Sequence, residues 1–198
     1  MEIKDRQLEI IEAAGELLTE SGLGGLTTKN LAAKMGFSEA ALYKHFKNKE
    51  DIVLTMLRYL AGNIEERMVN TVSKYDKPQD KLSAIFKSQF TFFDEKPQFL
   101  IAIFSEGLLE SSPEINQAIS DIMAITRKHL IQIIQQGQKQ GQFTHKVQAA
   151  DLAHIVMGSF RLQILQLRMS GFGFDLKARG NKLIANLIAL IATRNSIL

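Results

Sequence analysis

Apolar residues recur along most of the chain at steps of three and four, the spacing of one helical face. Ile3, Ile10, Ala14, Leu17 and Leu18 predict a first helix from about Ile3 to Glu20, which Gly22 can cap in a left-handed conformation. Leu54, Leu57, Leu60 and Ile64 predict a long helix with Asn48 as its N-cap. The three prolines, Pro78, Pro97 and Pro113, fall between periodic segments. Pro78 and Pro113 sit where a first helical turn tolerates proline, and Ser112 is a good cap before the latter. Pro97 separates two Phe-rich segments. A helix beginning near Glu114 is broken by a loop near 141–147 that includes Gly141. Two final helices are expected over about 148–169 and 175–194, with Asp175 capping the second. Period-two runs of Val, Ile and Thr are missing, so no sheet is expected and the fold class is all-α.

The segment 27–51, TTKNLAAKMGFSEAALYKHFKNKED, carries the most chemistry. Thr27 or Thr28 caps a short helix with Leu31, Ala32 and Met35 on its apolar side. Gly36 ends that helix, because glycine takes positive φ without a Cβ clash. Phe37 is expected to anchor the turn in the core. Ser38 caps a second short helix with Ala41, Leu42 and Phe46 facing inward. Two short helices joined by a turn containing Gly make a helix-turn-helix, whose second helix enters the DNA major groove. Its outward residues are Glu39, Ala40, Tyr43, Lys44 and His45, flanked by Thr28, Lys29, Lys47 and Lys49.

Charge points the same way. Residues 1–26 hold two basic and six acidic side chains, whereas residues 27–49 hold five lysines and one acid, Glu39. A basic cluster in a chain of net charge +3 indicates a local anionic partner. Hydroxyls, amines and helix N-termini bind phosphate oxygens.

Composition removes other functions. The chain has 198 residues, enough for a sizeable core, and no cysteine, which excludes disulfides, thiolate metal sites and cysteine nucleophiles. The start, MEIKDRQLEI, lacks the apolar run of a signal peptide, and no stretch of about 18 apolar residues exists, so a cytoplasmic protein without a membrane partner is expected. His45, His129, His145 and His154 show no metal-ligand spacing with acids. No P-loop, dinucleotide fingerprint or nucleophile elbow is present. Neither a cofactor, nor a metal, nor an enzymatic activity is expected.

The run of a threonine-led helix, a Gly turn followed by Ser, LYKHF and then NKED resembles the DNA-binding domain of the tetracycline-repressor (TetR) family of bacterial regulators. The preceding ELLTESGLGGLT resembles that family's first helix, and the specific match covers about residues 6–60. The resemblance implies a three-helix DNA-binding domain over 1–48 and a roughly six-helix ligand-sensing and dimerisation domain over 49–198. It implies a homodimer on a palindromic operator of double-stranded DNA, most simply a repressor released by an unknown small-molecule effector. The alternative is a nucleoid-associated or structural DNA-binding protein of the same fold without such an effector.

By motif position, Thr28, Lys29, Tyr43, Lys49 and His45 are expected at phosphates. Glu39, Ala40, Ala41 and Lys44 occupy base-reading positions beside Ser38. Glu39 has two readings: it accepts from cytosine N4, or it is an exposed first-turn residue favoured by the helix dipole. The segment 152–169 is apolar nearly all round, which suits a helix buried both by its own core and by a partner subunit. Ile155, Leu162 and Leu165, with Leu183, Leu187 and Ile191 on the last helix, are the expected dimer interface. Phe86, Phe90, Phe93, Phe104, Met123, Met157, Phe160 and Gln163 are the expected lining of a site for an apolar or amphipathic effector. Singly, most of these residues also read as plain core. Arg161 and Gln163 either pair with the effector's polar head or lie at the dimer rim.

Overall fold

Small polar side chains mark where five of the helices begin, because the first backbone N–H groups of a helix have no partner within it. Thr27, Ser38 and Asn48 accept from the N–H groups of Asn30, Ala41 and Asp51 at 3.1, 3.3 and 2.8 Å. Ser112 and Asp175 do the same for Ile115 and Ala178 at 3.2 and 2.9 Å. The computed structural model describes residues 3–104, 108 and 112–193. Nine α-helices occupy them: α1 Asp5–Gly25, α2 Thr28–Met35, α3 Glu39–Leu42, α4 Lys49–Val72, α5 Pro78–Glu95, α6 Pro97–Phe104, α7 Pro113–Lys139, α8 Ala149–Met169 and α9 Leu176–Ile191. Among the described residues β pairing is limited to an isolated bridge between Phe143 and Ala192.

The fold is all-α, as the periodicity indicates, and the three prolines each open a helix. Gly22 interrupts α1 at φ 64°, in the place expected for its cap. The final helix ends at Ile191, and the expected end at 194 lies outside the described residues.

The chain packs as two compact units. One combines the described residues up to Asn63 with those between Lys96 and Met123, and the other combines Ile64–Glu95 with the described residues from Ala124 onward. In the first unit α1 packs on α6 as well as on α2. A Cβ on Gly15 would stand only 3.0 Å from the Gln98 side chain, so glycine is what lets α1 and α6 approach. The Glu12 carboxylate and the Lys96 ammonium pair across the same contact. Ile10, Leu31, Leu42, Leu57 and Leu100 fill this core.

In the second unit α9 lies along α5. A Cβ on Gly180 would fall 2.4 Å from the Phe90 ring, so the ring occupies the space left by the glycine. Arg67 joins α4 to α5. Its guanidinium lies over the Phe92 ring, 4.2 Å from the centroid, and donates to Gln89 Oε1 at 2.6 Å.

Candidate nucleic-acid interface and effector site

α2 ends in a Schellman turn. Gly36, at φ 68° and ψ 30°, donates to the Ala33 carbonyl, and the Phe37 N–H donates to the Ala32 carbonyl at 2.8 Å. This turn aims α3 away from α2. The helical hydrogen bonding of α3 runs on past its last regular residue, with Phe46 N–H donating to the Leu42 carbonyl at 3.0 Å. Leu42 and Phe46 are buried, as expected. Phe37 is not. It is half-buried, with the Arg6 guanidinium 4.6 Å above its ring, because the turn leaves it at the edge of the core rather than within it.

The outward face is formed by Ser38, Glu39, Ala40, Tyr43 and Lys44, all exposed, with Tyr43 at 52%. Ala41 and His45 are half-buried. The NKED segment is a pair of reciprocal caps: Asn48 accepts from Asp51 N–H, and the Asp51 carboxylate accepts from Lys47 N–H at 2.9 Å.

The lysine cluster divides by what each ammonium touches. Lys34 lies 2.9 Å from the Glu20 carboxylate and 3.1 Å from that of Glu16. Hydrogen bonds to Glu20 and then Glu16 hold its pKa above the ordinary value. That ammonium clamps α2 to α1. Lys49 is half-buried and donates to the Leu23 carbonyl at 3.3 Å, which ties the start of α4 to the end of α1. Lys29, Lys44 and Lys47 are exposed.

Thr28 Oγ1 donates to Glu39 Oε2 at 2.7 Å, eleven residues away. The carboxylate at the head of α3 is therefore held from α2. Sequence reasoning had no means to find this pair, since it depends on the crossing of two helices and not on a local offset.

In the second unit Phe160 of α8 meets three rings of α5. Its centroid lies 5.7, 5.5 and 6.4 Å from those of Phe86, Phe90 and Phe93. Four of the expected pocket residues thus form one aromatic cluster. Gln163 lies one turn further along α8, and its amide nitrogen is buried with no hydrogen-bond partner among the described residues. Met157 is half-buried. Phe104 and Met123 belong to the first unit, and Met123 is 44% exposed. In the first unit a cleft of about 260 Å³ opens between α4 and α7, lined by apolar Leu57 and Ala61 and by charged Arg58, Glu114 and Asp121. None of the expected pocket residues borders it.

Of the expected interface residues, Ile155, Leu162 and Leu165 are exposed on α8, beside Met169 at 79%. On α9, Leu183 is half-buried, and Leu187 and Ile191 are buried in the chain's own core. The close approach at Gly180 turns those residues inward.

Known proteins share this fold. Residues 10–56 match the model for "Bacterial regulatory proteins, tetR family", and residues 58–190 match that for "YsiA-like protein, C-terminal region". The chain belongs to the TetR family of transcriptional regulators. As a TetR-family protein it is a DNA-binding regulator and not an enzyme.

The "Fatty acid metabolism regulator protein" of Bacillus subtilis is 23% identical over 186 residues, covering 94% of this chain and 95% of its own. The "Nucleoid occlusion factor SlmA" of Idiomarina loihiensis is 24% identical, covering 85% of this chain and 86% of its own. The crystal structure of the transcriptional regulator FadR from Bacillus subtilis in complex with stearoyl-CoA superposes with a TM-score of 0.82 at 24% identity, covering 95% of this TetR-family chain and all of that one. Among the described residues no helix is long and apolar enough to cross a membrane.

Proposed function

We propose that this TetR-family regulator is a cytoplasmic, ligand-responsive repressor that binds a palindromic operator as a homodimer and is released by an acyl-bearing, amphipathic effector. The observation that carries the DNA half is the exposed face of α3, with Tyr43 and Lys44 flanked by Lys29. Thr28, Lys29, Tyr43, His45 and Lys49 are assigned to phosphates. Glu39, Ala40, Ala41 and Lys44 are assigned to base edges. The apolar stripe Ile155, Leu162, Leu165 and Met169 supports the dimer, since so much exposed apolar surface on one helix face calls for a cover. The aromatic cluster around Phe160 supports an apolar effector, as does the likeness to a regulator of fatty acid metabolism.

The likeness to a nucleoid occlusion factor favours a second reading, DNA binding without a small effector. One experiment separates the two. Bound sequences are selected from random DNA with the purified chain, its mass is measured in parallel, and stearoyl-CoA is then titrated onto the complex. A palindrome bound by a dimer and released by the ligand is the expected result. A stable complex at saturating ligand favours the second reading, and failure to enrich any sequence removes both. In the same selection Glu39→Gln is expected to change the preferred base at one position of each half-site; an equal loss on every sequence assigns Glu39 to bracing Thr28 alone.

A further inference from the structure

We propose that the side-chain amide of Gln163 is the donor that holds the carbonyl oxygen of the effector's acyl group. This inference rests on the acyl-effector reading above and names the polar contact within that site. Gln163 stands three residues after Phe160, seven after Val156 and four before Leu167, so the four share one face of α8. Val156 and Leu167 are buried, and Phe160 is packed among the α5 rings. The exposed residues Ile155, Leu162 and Met169 occupy the other side of the same helix. The Gln163 amide therefore belongs to the inner, aromatic side and not to the apolar outer face.

A buried amide nitrogen with no acceptor is rare in a folded protein, because its desolvation is uncompensated. Here the atom is Nε2, which can only donate. Its neighbours on the inner face are hydrocarbon and aromatic. The complementary molecule has an apolar body for the rings and a single neutral oxygen acceptor for the amide. A thioester or ester carbonyl at the head of an alkyl chain has that form. A carboxylate meets the same amide but places a full charge beside the Phe cluster, which is disfavoured. Water in place of the carbonyl would satisfy the amide without selecting any ligand, and a pair of matched probes separates that case.

The probes are stearoyl-CoA and S-octadecyl-CoA, which share chain and headgroup and differ in the thioester carbonyl. Affinity is read by calorimetry on the full chain, and operator release in parallel. The wild-type chain is expected to bind the carbonyl-bearing probe roughly tenfold more tightly, the scale of one hydrogen bond that rescues a buried donor. Gln163→Leu is expected to bind both probes equally, with its affinity for S-octadecyl-CoA within about twofold of wild type. Gln163→Glu, which turns the donor into an acceptor, is expected to lose the preference as well and reports independently if the leucine variant does not fold.

Equal binding of the two probes by wild type, or a preference that survives in Gln163→Leu, overturns the assignment of Gln163 while leaving the acyl effector intact. If the wild-type chain takes up neither probe and stays on its operator, the acyl reading falls and the Gln163 assignment falls with it.

Discussion

Each of the two compact units is held by its own kind of internal contact. Around α2 and α3, charged and polar side chains do the positioning: Thr27, Ser38 and Asn48 as caps, Lys34 between two glutamates, Thr28 on Glu39. Around α5, α8 and α9, rings pack on rings, a glycine admits a phenylalanine, and the Gln163 amide nitrogen has no partner among the described residues. The first arrangement is cheap to alter at its surface and fixes an outward face. The second is a closely packed interior in which most changes are felt throughout. The proposed DNA-reading face and the proposed effector site would place these opposite demands on the protein.

Four substitutions test this contrast, beginning with the largest expected effect. Phe90→Ala removes a fully buried ring from the second unit and is expected to cost about 3–5 kcal/mol in urea denaturation. A cost below about 1 kcal/mol would show the aromatic cluster to be loose rather than packed. Lys29→Ala is expected to weaken operator binding by roughly tenfold and to reduce the slope of log affinity against log salt by about one, with unchanged melting temperature. Lys49→Ala is expected to lower the same slope and also the melting temperature, because the Leu23 carbonyl loses its donor. If the two variants behave alike in melting, the Lys49 contact to α1 contributes nothing to stability.

Ser38→Ala is expected to cost about 1 kcal/mol, read by thermal melting, and to weaken binding to all sequences to the same degree. A change in base preference instead would mean that Ser38 itself reads DNA.

A smaller effect still concerns Glu65. A hydrogen bond from Lys128, and a second with His129, outweigh its partial burial and hold its carboxyl below the ordinary value. A lowered carboxylate pKa stabilises the fold above the unfolded-state value, and that stabilisation is lost as pH falls through the folded value. Because the group is 35% exposed, solvent screening limits the effect to a fraction of a kcal/mol. Glu65→Gln is expected to flatten the stability–pH curve in the acid range below the ordinary glutamate value and to leave neutral stability nearly unchanged. An identical acid limb in both proteins would show that the pair carries no proton linkage.

The contrast also explains what is legible in the sequence. A cap is a local offset, so Ser38, Asn48, Ser112 and Asp175 are recognisable as caps from residue order alone, and Gly36 as the turn between two short helices. The family motif then marks this segment as a helix-turn-helix. Partnerships across helices leave no such mark. Thr28 with Glu39, and Lys34 with Glu16 and Glu20, require α2 to cross its neighbours at particular places. Periodicity puts Leu187 and Ile191 on one face of α9 but does not say what that face meets. Gly180 decides it by admitting Phe90, so the stripe turns toward α5. Phe37 misleads for a related reason: an aromatic beside a tight turn looks like an anchor, yet it sits under Arg6 at the margin of the core.

The contact between α1 and α6 bears on how the protein is made. The packing of the first helix, begun by α2, is completed by residues 96–104, where Gln98 fits over Gly15 and Lys96 meets Glu12. A ribosome halfway through the message has already released the whole DNA-reading segment, but not the piece that completes its packing. A nascent or prematurely terminated product ending near residue 63 therefore exposes an unfinished core to chaperones and proteases. Translation itself thus delays the appearance of a working DNA reader until more than half of the chain has emerged.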